Sequence, residues 1–195
     1  MNRARHFQNL NGVLSDNDIK IAIEQGDLAI EPFSPDMLRA AGITFHLGSE
    51  LLIPRTGVVV DVKNQIVPTY DTVTISDQSP FQLEPGQFVL SATRERVTVG
   101  ASLGFFIEGR STLARVGLTI VQTAMLVYPG HTNRAITLEL ANHGPNPILL
   151  YPDMKIARAA VFRLESPASE LYDTKGKYRA QDSVGPPIFA NELKA

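Results

Sequence analysis

The pattern of apolar and polar positions changes character near residue 43. Before it, two segments carry helical signatures. Ser15 precedes a run in which Ile19, Ala22 and Ile23 recur at i, i+3 and i+4, with Asp18 three residues after the serine and Gly26 as a stop. That spacing predicts a short helix with a capping-box start and negative charge at its positive end. Ser34-Pro35 with Gly42 behind it predicts a second short helix, capped by serine, opened by proline and closed by glycine. From Ile43 onward the texture is β. Runs at 57–62, 87–92, 103–107, 118–127 and 135–142 are rich in β-branched or apolar residues. Turn formers separate them, among them Pro54, Pro68, Pro80, Pro85-Gly86, Pro129-Gly130, Gly144-Pro145 and Pro152-Asp153. Many short strands with such punctuation predict an all-β protein, an antiparallel sandwich or barrel rather than a βαβ sheet.

Composition bounds the organisation. Leu, Ile, Val and Phe make up 58 of 195 residues, about 30 % against the roughly 20 % below which chains tend to stay disordered. No internal repeat or low-complexity stretch breaks the chain. After Leu164 it turns polar and rich in Pro and Gly, so three parts are expected: an N-terminal extension at 1–12, one β domain at 13–165 and a C-terminal tail at 166–195. Residues 1–14 hold no apolar run of signal-peptide length, and nothing approaches the roughly 18 apolar residues of a membrane span. A formal charge of −2 argues against a general electrostatic grip on a nucleic-acid polymer or an anionic membrane. The absence of cysteine excludes disulfides, Cys-ligated zinc and thiol nucleophiles. A soluble, cytoplasmic protein is the expectation.

Two places carry candidate chemistry. Gly109-Arg110-Ser111-Thr112-Leu113-Ala114-Arg115-Val116-Gly117 lies between strand-like runs and is bounded by glycines, which suits a single helical turn. Ser111 falls near its start and Arg115 on the same face. Two guanidiniums, a hydroxyl and free backbone N–H groups make a phosphate cradle. The same residues equally suit a surface turn whose arginines pair with carboxylates. On the strand at 135–142, Ile136, Leu138 and Leu140 share one face, Thr137 and Glu139 the other. A partly desolvated Glu139 would suit general acid/base work; an isolated glutamate on an outward, solvated face is the commoner case. His6, His46, His131 and His143 show no metal-ligand spacing, and no Walker, Rossmann or Gly-x-Ser-x-Gly pattern occurs.

The chain resembles the dCTP deaminase family of the dUTPase-like β superfamily. The motifs run in order from Val13-Leu14-Ser15-Asp16-Asn17-Asp18-Ile19 and Ile30-Glu31-Pro32-Phe33 to Phe81-Gln82-Leu83-Glu84-Pro85-Gly86. They continue with the Gly109 to Gly117 segment, the most specific of them, then Thr123-Ala124, Pro129-Gly130, Thr137-Leu138-Glu139-Leu140, Pro152-Asp153-Met154-Lys155-Ile156 and Lys177-Tyr178-Arg179-Ala180-Gln181. The resemblance implies a dUTPase-like distorted antiparallel barrel or jelly roll with a few short helices. It also implies a homotrimer with active sites at subunit interfaces and hydrolytic deamination of dCTP to dUTP and ammonia. It makes Glu139 the general acid/base, with Ser111 and Arg115 assisting at the reacting base. It assigns Arg110, Ser111, Thr112, Arg115, Thr123, Ala124, Tyr128, Thr137, Tyr172, Lys177 and Gln181 to substrate binding, the last three on a tail that closes over the nucleotide. Mg²⁺ would arrive on the triphosphate; no zinc or other protein-bound metal is implied.

Several positions depart from the family pattern. Thr44-Phe45-His46-Leu47-Gly48 stands where the family carries Asp-Leu-Arg-Leu-Gly. Tyr128 replaces the aspartate before Pro-Gly, an acid that lies by the deoxyribose and in dUTPases activates water. The loop at 129–134 lacks the usual aromatic and glycine and is one residue longer, and a turn glycine is Asp153. The deaminating residues remain while sugar recognition is altered. The rival readings are a dUTPase or bifunctional deaminase–diphosphatase, against which Tyr128 argues, and a non-catalytic nucleotide-binding regulatory paralogue.

Overall fold

The computed structural model describes residues 12–190 and 192–193. Apart from Gly12, the expected N-terminal extension lies outside the described residues. The first helix, α1 (Asp16–Glu24), forms as its spacing predicts. The Ser15 hydroxyl accepts from the Asp18 backbone N–H at 3.3 Å, and the Ser15 N–H donates to the Asp18 carboxylate at 3.2 Å. This closes the capping box, satisfying N–H groups that the helix itself leaves free. Ile19 and Ala22 are fully buried against the body.

The remainder is mostly strand: β1 (Leu28–Glu31), β2 (Leu38–Arg39), β3 (Gly42–His46), β4 (Glu50–Pro54), β5 (Tyr70–Thr74), β6 (Phe81–Leu83) and β7 (Phe88–Val99). After them come β8 (Leu103–Gly109), the single turn α2 (Ser111–Ala114), β9 (Leu118–Thr119), β10 (Leu126–Val127), β11 (Arg134–Asn142), β12 (Ile148–Leu150), β13 (Lys155–Arg163) and the single turn α3 (Tyr172–Lys175). One sheet runs β5-β4-β7-β11-β9 with β1 also pairing with β7, a second runs β10-β8-β13-β3-β2, and β12 pairs with β6. All pairings are antiparallel. Inward residues of both large sheets, such as Phe45 and Phe105 from one and Val89 and Leu138 from the other, merge in one apolar cluster. The rings of Phe45 and Phe105 stack within it, 6.1 Å apart. No helix among the described residues is long and apolar enough to cross a membrane.

Three local expectations are corrected. The segment from Ser34 to Gly42 is not a helix: only Pro35–Met37 makes a 3₁₀ turn, and the chain then enters β2 and β3. Gly42 serves as close-approach backbone, because a Cβ there would sit 2.3 Å from the Ala159 carbonyl oxygen on β13. The valine-rich run at 57–62 forms no strand; only an isolated bridge joins Asp61 to Ile66, and Val59 is 84 % exposed. Asp61 accepts from the Asn64 backbone and side chain at 3.0 and 2.7 Å, which holds a turn that local β propensity does not outweigh without a partner to pack on. The run at 118–127 is broken into β9 and β10 with an irregular loop between them.

Two departures from the family pattern find their physical setting. The His46 backbone N–H donates to Glu95 at 2.9 Å and its Nδ1 lies 2.6 Å from the same carboxylate, which also accepts from Arg94 at 2.8 Å. Glu95 is fully buried, and these partners replace the water it loses. Asp153 adopts φ +60°, the left-handed conformation that suits a turn residue, and accepts from Arg94 at 2.8 Å.

Candidate active site

Residues of β7, β10 and β11, the loop after β10 and the tail line a partly open cavity of about 510 Å³. On β11, Ile136, Leu138 and Leu140 are buried while Thr137 and Glu139 are half-buried and line this cavity. Period-two alternation therefore holds over 136–140, and Glu139 lies in a cavity wall rather than on an open outer face. Its strand is held by the neighbouring loop. The Glu139 N–H donates to the Ile120 carbonyl at 2.9 Å, and the Gln122 N–H donates to Glu139 Oε2 at 3.3 Å. The Gln122 side chain adds bonds to the Glu139 carbonyl and to Thr119, at 3.4 and 3.3 Å. Burial pushes the Glu139 carboxyl above its ordinary value, and the Gln122 N–H only partly opposes this. The result is a fixed, partly desolvated carboxyl facing a partly open cavity, able to exchange a proton nearer neutral pH than a free glutamate.

The sequence-derived candidates divide into two groups. Ala124, Tyr128, Thr137, Tyr172 and Gln181 line the same cavity as Glu139. The Gln181 amide donates to Thr137 Oγ1 at 3.0 Å, and Tyr128 stacks on Tyr172 with rings 6.3 Å apart and 10° from parallel. The tail reaches the cavity because the Tyr172 and Asp173 N–H groups donate to the Pro129 and Gly130 carbonyls at 2.9 and 3.2 Å. Arg110, Ser111, Thr112, Arg115, Thr123 and Lys177 are not in its wall. Lys177 pairs with Glu192 instead. Ser111 opens the single turn α2, with Arg110 as its N-cap and Arg115 as its C-cap. Ser111, Thr112, Thr123 and Arg115 are exposed. Neither Arg110 nor Arg115 forms an ion pair among the described residues, unlike a surface turn stitched by salt bridges. Arg110 donates to the Lys155 carbonyl at 3.0 Å, and its buried Nε has no partner. Within one chain α2 contributes no residue to the cavity that Glu139 lines.

Other residues at or beside the cavity escaped the sequence motifs. Gln122 sits one residue before Thr123-Ala124, yet nothing local shows that its N–H reaches Glu139. His131 and Arg134 come from the longer loop and the start of β11, and both line the cavity. Burial lowers the His131 pKa, keeping its ring neutral at neutral pH. Four of the five tyrosines, Tyr70, Tyr128, Tyr172 and Tyr178, line this one space, although they lie far apart in the sequence.

The fold is an antiparallel all-β one, here carrying a carboxylate in the wall of a partly open cavity. It is similar to the crystal structure of 2'-deoxycytidine 5'-triphosphate deaminase from Agrobacterium tumefaciens, with a TM-score of 0.61 at 19 % identity; the match covers 80 % of this chain and 49 % of that chain. The sequence model of the family described as dCTP deaminase-like matches residues 13–164. Over 177 residues the chain is 36 % identical to "dCTP deaminase, dUMP-forming" of Corynebacterium diphtheriae, covering 88 % of this chain and 94 % of the relative. It is also 36 % identical to "dCTP deaminase" of Natronomonas pharaonis, covering 89 % of this chain and 92 % of the relative. The chain belongs to the dCTP deaminase-like family and is an enzyme of that kind.

Proposed function

We propose that the protein deaminates dCTP, with Glu139 as general acid/base. The observation that carries this reading is the placement of Glu139 in the cavity wall, its carboxyl raised by burial and tethered by Gln122. In this role Glu139 takes a proton from water as the oxygen adds to C4 of cytosine and passes it to N3. It then takes the remaining hydroxyl proton and gives it to the amine as the C4–N bond breaks and C4=O forms, so that uracil and ammonia result. Ser111 and Arg115 assist at the base and Arg110 binds phosphate, supplied to each cavity by a neighbouring subunit of a homotrimer. The support for sharing is that α2 is exposed and without ion pairs, while the Glu139 cavity lacks these groups. Thr112, Thr123 and Lys177 are assigned to the same shared site. The nucleotide arrives as its magnesium complex, and Tyr172 and Gln181 on the tail close over it.

The product has two readings. Tyr128 in place of an acid favours release of dUTP. The name "dUMP-forming" carried by the Corynebacterium diphtheriae relative runs against that expectation and favours a second reading, in which the triphosphate is also cleaved and dUMP and pyrophosphate leave. Incubating the purified protein with dCTP and Mg²⁺ separates them: ammonia with dUTP supports the first, ammonia with dUMP and pyrophosphate the second. No turnover of dCTP, CTP, dCMP or methylated cytosine nucleotides overturns both. Thermal stabilisation by dCTP without any product would instead identify a nucleotide-binding regulator.

A further inference from the structure

Arg134 stands out among the cavity residues. Among the described residues it is the only arginine or lysine in the wall, and the other ionisable groups there are Glu139, His131 and four tyrosines. A nucleoside triphosphate entering with its base toward Glu139 carries several negative charges and meets one cation from this chain. Arg134 and Glu139 lie on the same strand five residues apart, roughly 16 Å at the usual strand rise, which leaves room for a base at one end and phosphates at the other. Strict alternation would place Arg134 on the buried face of Ile136 and Leu138. The ladder with β7 shifts register between Ala135 and Thr137, and Arg134 lines the cavity with Glu139.

That cation is already engaged. Asp173, on the tail turn α3, pairs with Arg134, the two side chains being 32 % and 19 % exposed. Burial raises the Asp173 carboxyl, but Thr132 and Arg134 outweigh it and hold the group below its ordinary value, so it stays charged. The Asp173 carboxylate takes one guanidinium N–H of Arg134, a donor that a phosphate oxygen can equally use.

We propose that Arg134 is a phosphate-binding residue of the same site as Glu139, and that Asp173 holds its place until a nucleotide phosphate displaces it. The proposal rests on the nucleotide reading of this cavity and adds a second source of positive charge, from the chain that carries the catalytic carboxylate. The ligand chemistry is a nucleoside polyphosphate; a nucleoside without phosphate gains nothing from Arg134. Exchange of Asp173 for phosphate also loosens one side-chain tie of the tail, leaving the backbone bonds to Pro129 and Gly130, Gln181 on Thr137 and Asp182 on Arg96.

The test is calorimetric binding of dCTP, deoxycytidine and inorganic pyrophosphate in Mg²⁺, on a Glu139→Gln background that blocks turnover, with melting curves to establish folding. Asp173→Asn removes the competitor and is expected to tighten dCTP roughly threefold to tenfold without changing deoxycytidine. Arg134→Gln is expected to weaken dCTP by about tenfold or more, to leave deoxycytidine unchanged and to weaken competition by pyrophosphate. Unchanged or weaker dCTP binding in Asp173→Asn overturns the placeholder role. Equal losses for dCTP and deoxycytidine in Arg134→Gln overturn phosphate binding and leave a merely structural clasp. A protein without these substitutions that binds dCTP yet releases no ammonia removes the deamination reading alone. Turnover with an unchanged KM in an Arg134→Gln single variant removes this one alone.

Discussion

In the proposed reaction Glu139 is the general acid/base, and its environment sets two opposite pH responses. As a base it must be ionised, so kcat/KM should fall with decreasing pH through a midpoint above the ordinary carboxylate range, because burial raises the group. Stability runs the other way. The folded protein holds this proton more tightly than the unfolded chain, so between the ordinary and the raised value the unfolded state binds fewer protons and stability declines as pH rises. Glu139→Gln should therefore lower kcat by about 10²–10⁴-fold while raising the melting temperature at neutral pH, a gain that vanishes below the ordinary carboxylate range. A variant with normal turnover, or one destabilised at neutral pH and stabilised in acid, would contradict this assignment. Sequence alternation assigned Glu139 correctly to the face of Thr137. Its neighbour Gln122, seventeen positions away, becomes visible only when the loop before β10 folds back.

At the scale of elements, α2 depends on the strands that frame it. Gly117 follows this turn at φ +90°, and a Cβ there would stand 2.2 Å from the backbone nitrogen of Gly144. Glycine is required on both counts: the left-handed conformation and the close approach of two loops. Gly117→Ala should cost about 1–3 kcal/mol, seen as a lower melting temperature. Its loss of kcat/KM should exceed that of an equally destabilising change in α1, since Ser111 and Arg115 sit on the displaced turn. Equal losses would show that α2 carries no special role. The glycine boundaries and the single turn were legible from spacing. The valine run at 57–62 misled for the converse reason: its residues favour strands, but no neighbouring strand offers them a partner, and a polar turn closes instead.

For the whole molecule, the separation of α2 from the Glu139 cavity in one chain has a direct consequence if sites are shared. Glu139→Gln and Arg115→Ala should each be inactive alone. Unfolded together and refolded as mixed trimers, they should regain roughly a quarter of wild-type activity, because an intact site needs one subunit of each kind in a given order. No recovery in trimers shown by mass to be mixed would place the complete site within one chain, and a monomeric mass would do so without the mixing step. The net charge of −2 fits this arrangement, since arginines gathered on one triphosphate need no excess of positive charge overall.

What the sequence determined by itself was local and periodic. The capping box of α1, the antiparallel β character, the α2 turn between glycines and the shared face of Thr137 and Glu139 all follow from neighbours within a few residues. Motif order was sufficient to indicate the family as well. The tertiary structure decided which distant residues meet. It brought four scattered tyrosines to one cavity, set Gln122 on Glu139, turned Arg134 toward the same space at an irregular ladder, and left α2 outside it. Those outcomes depend on strand register and on loops closing across the sheet, which are fixed by packing of the whole chain rather than by the preferences of any one segment.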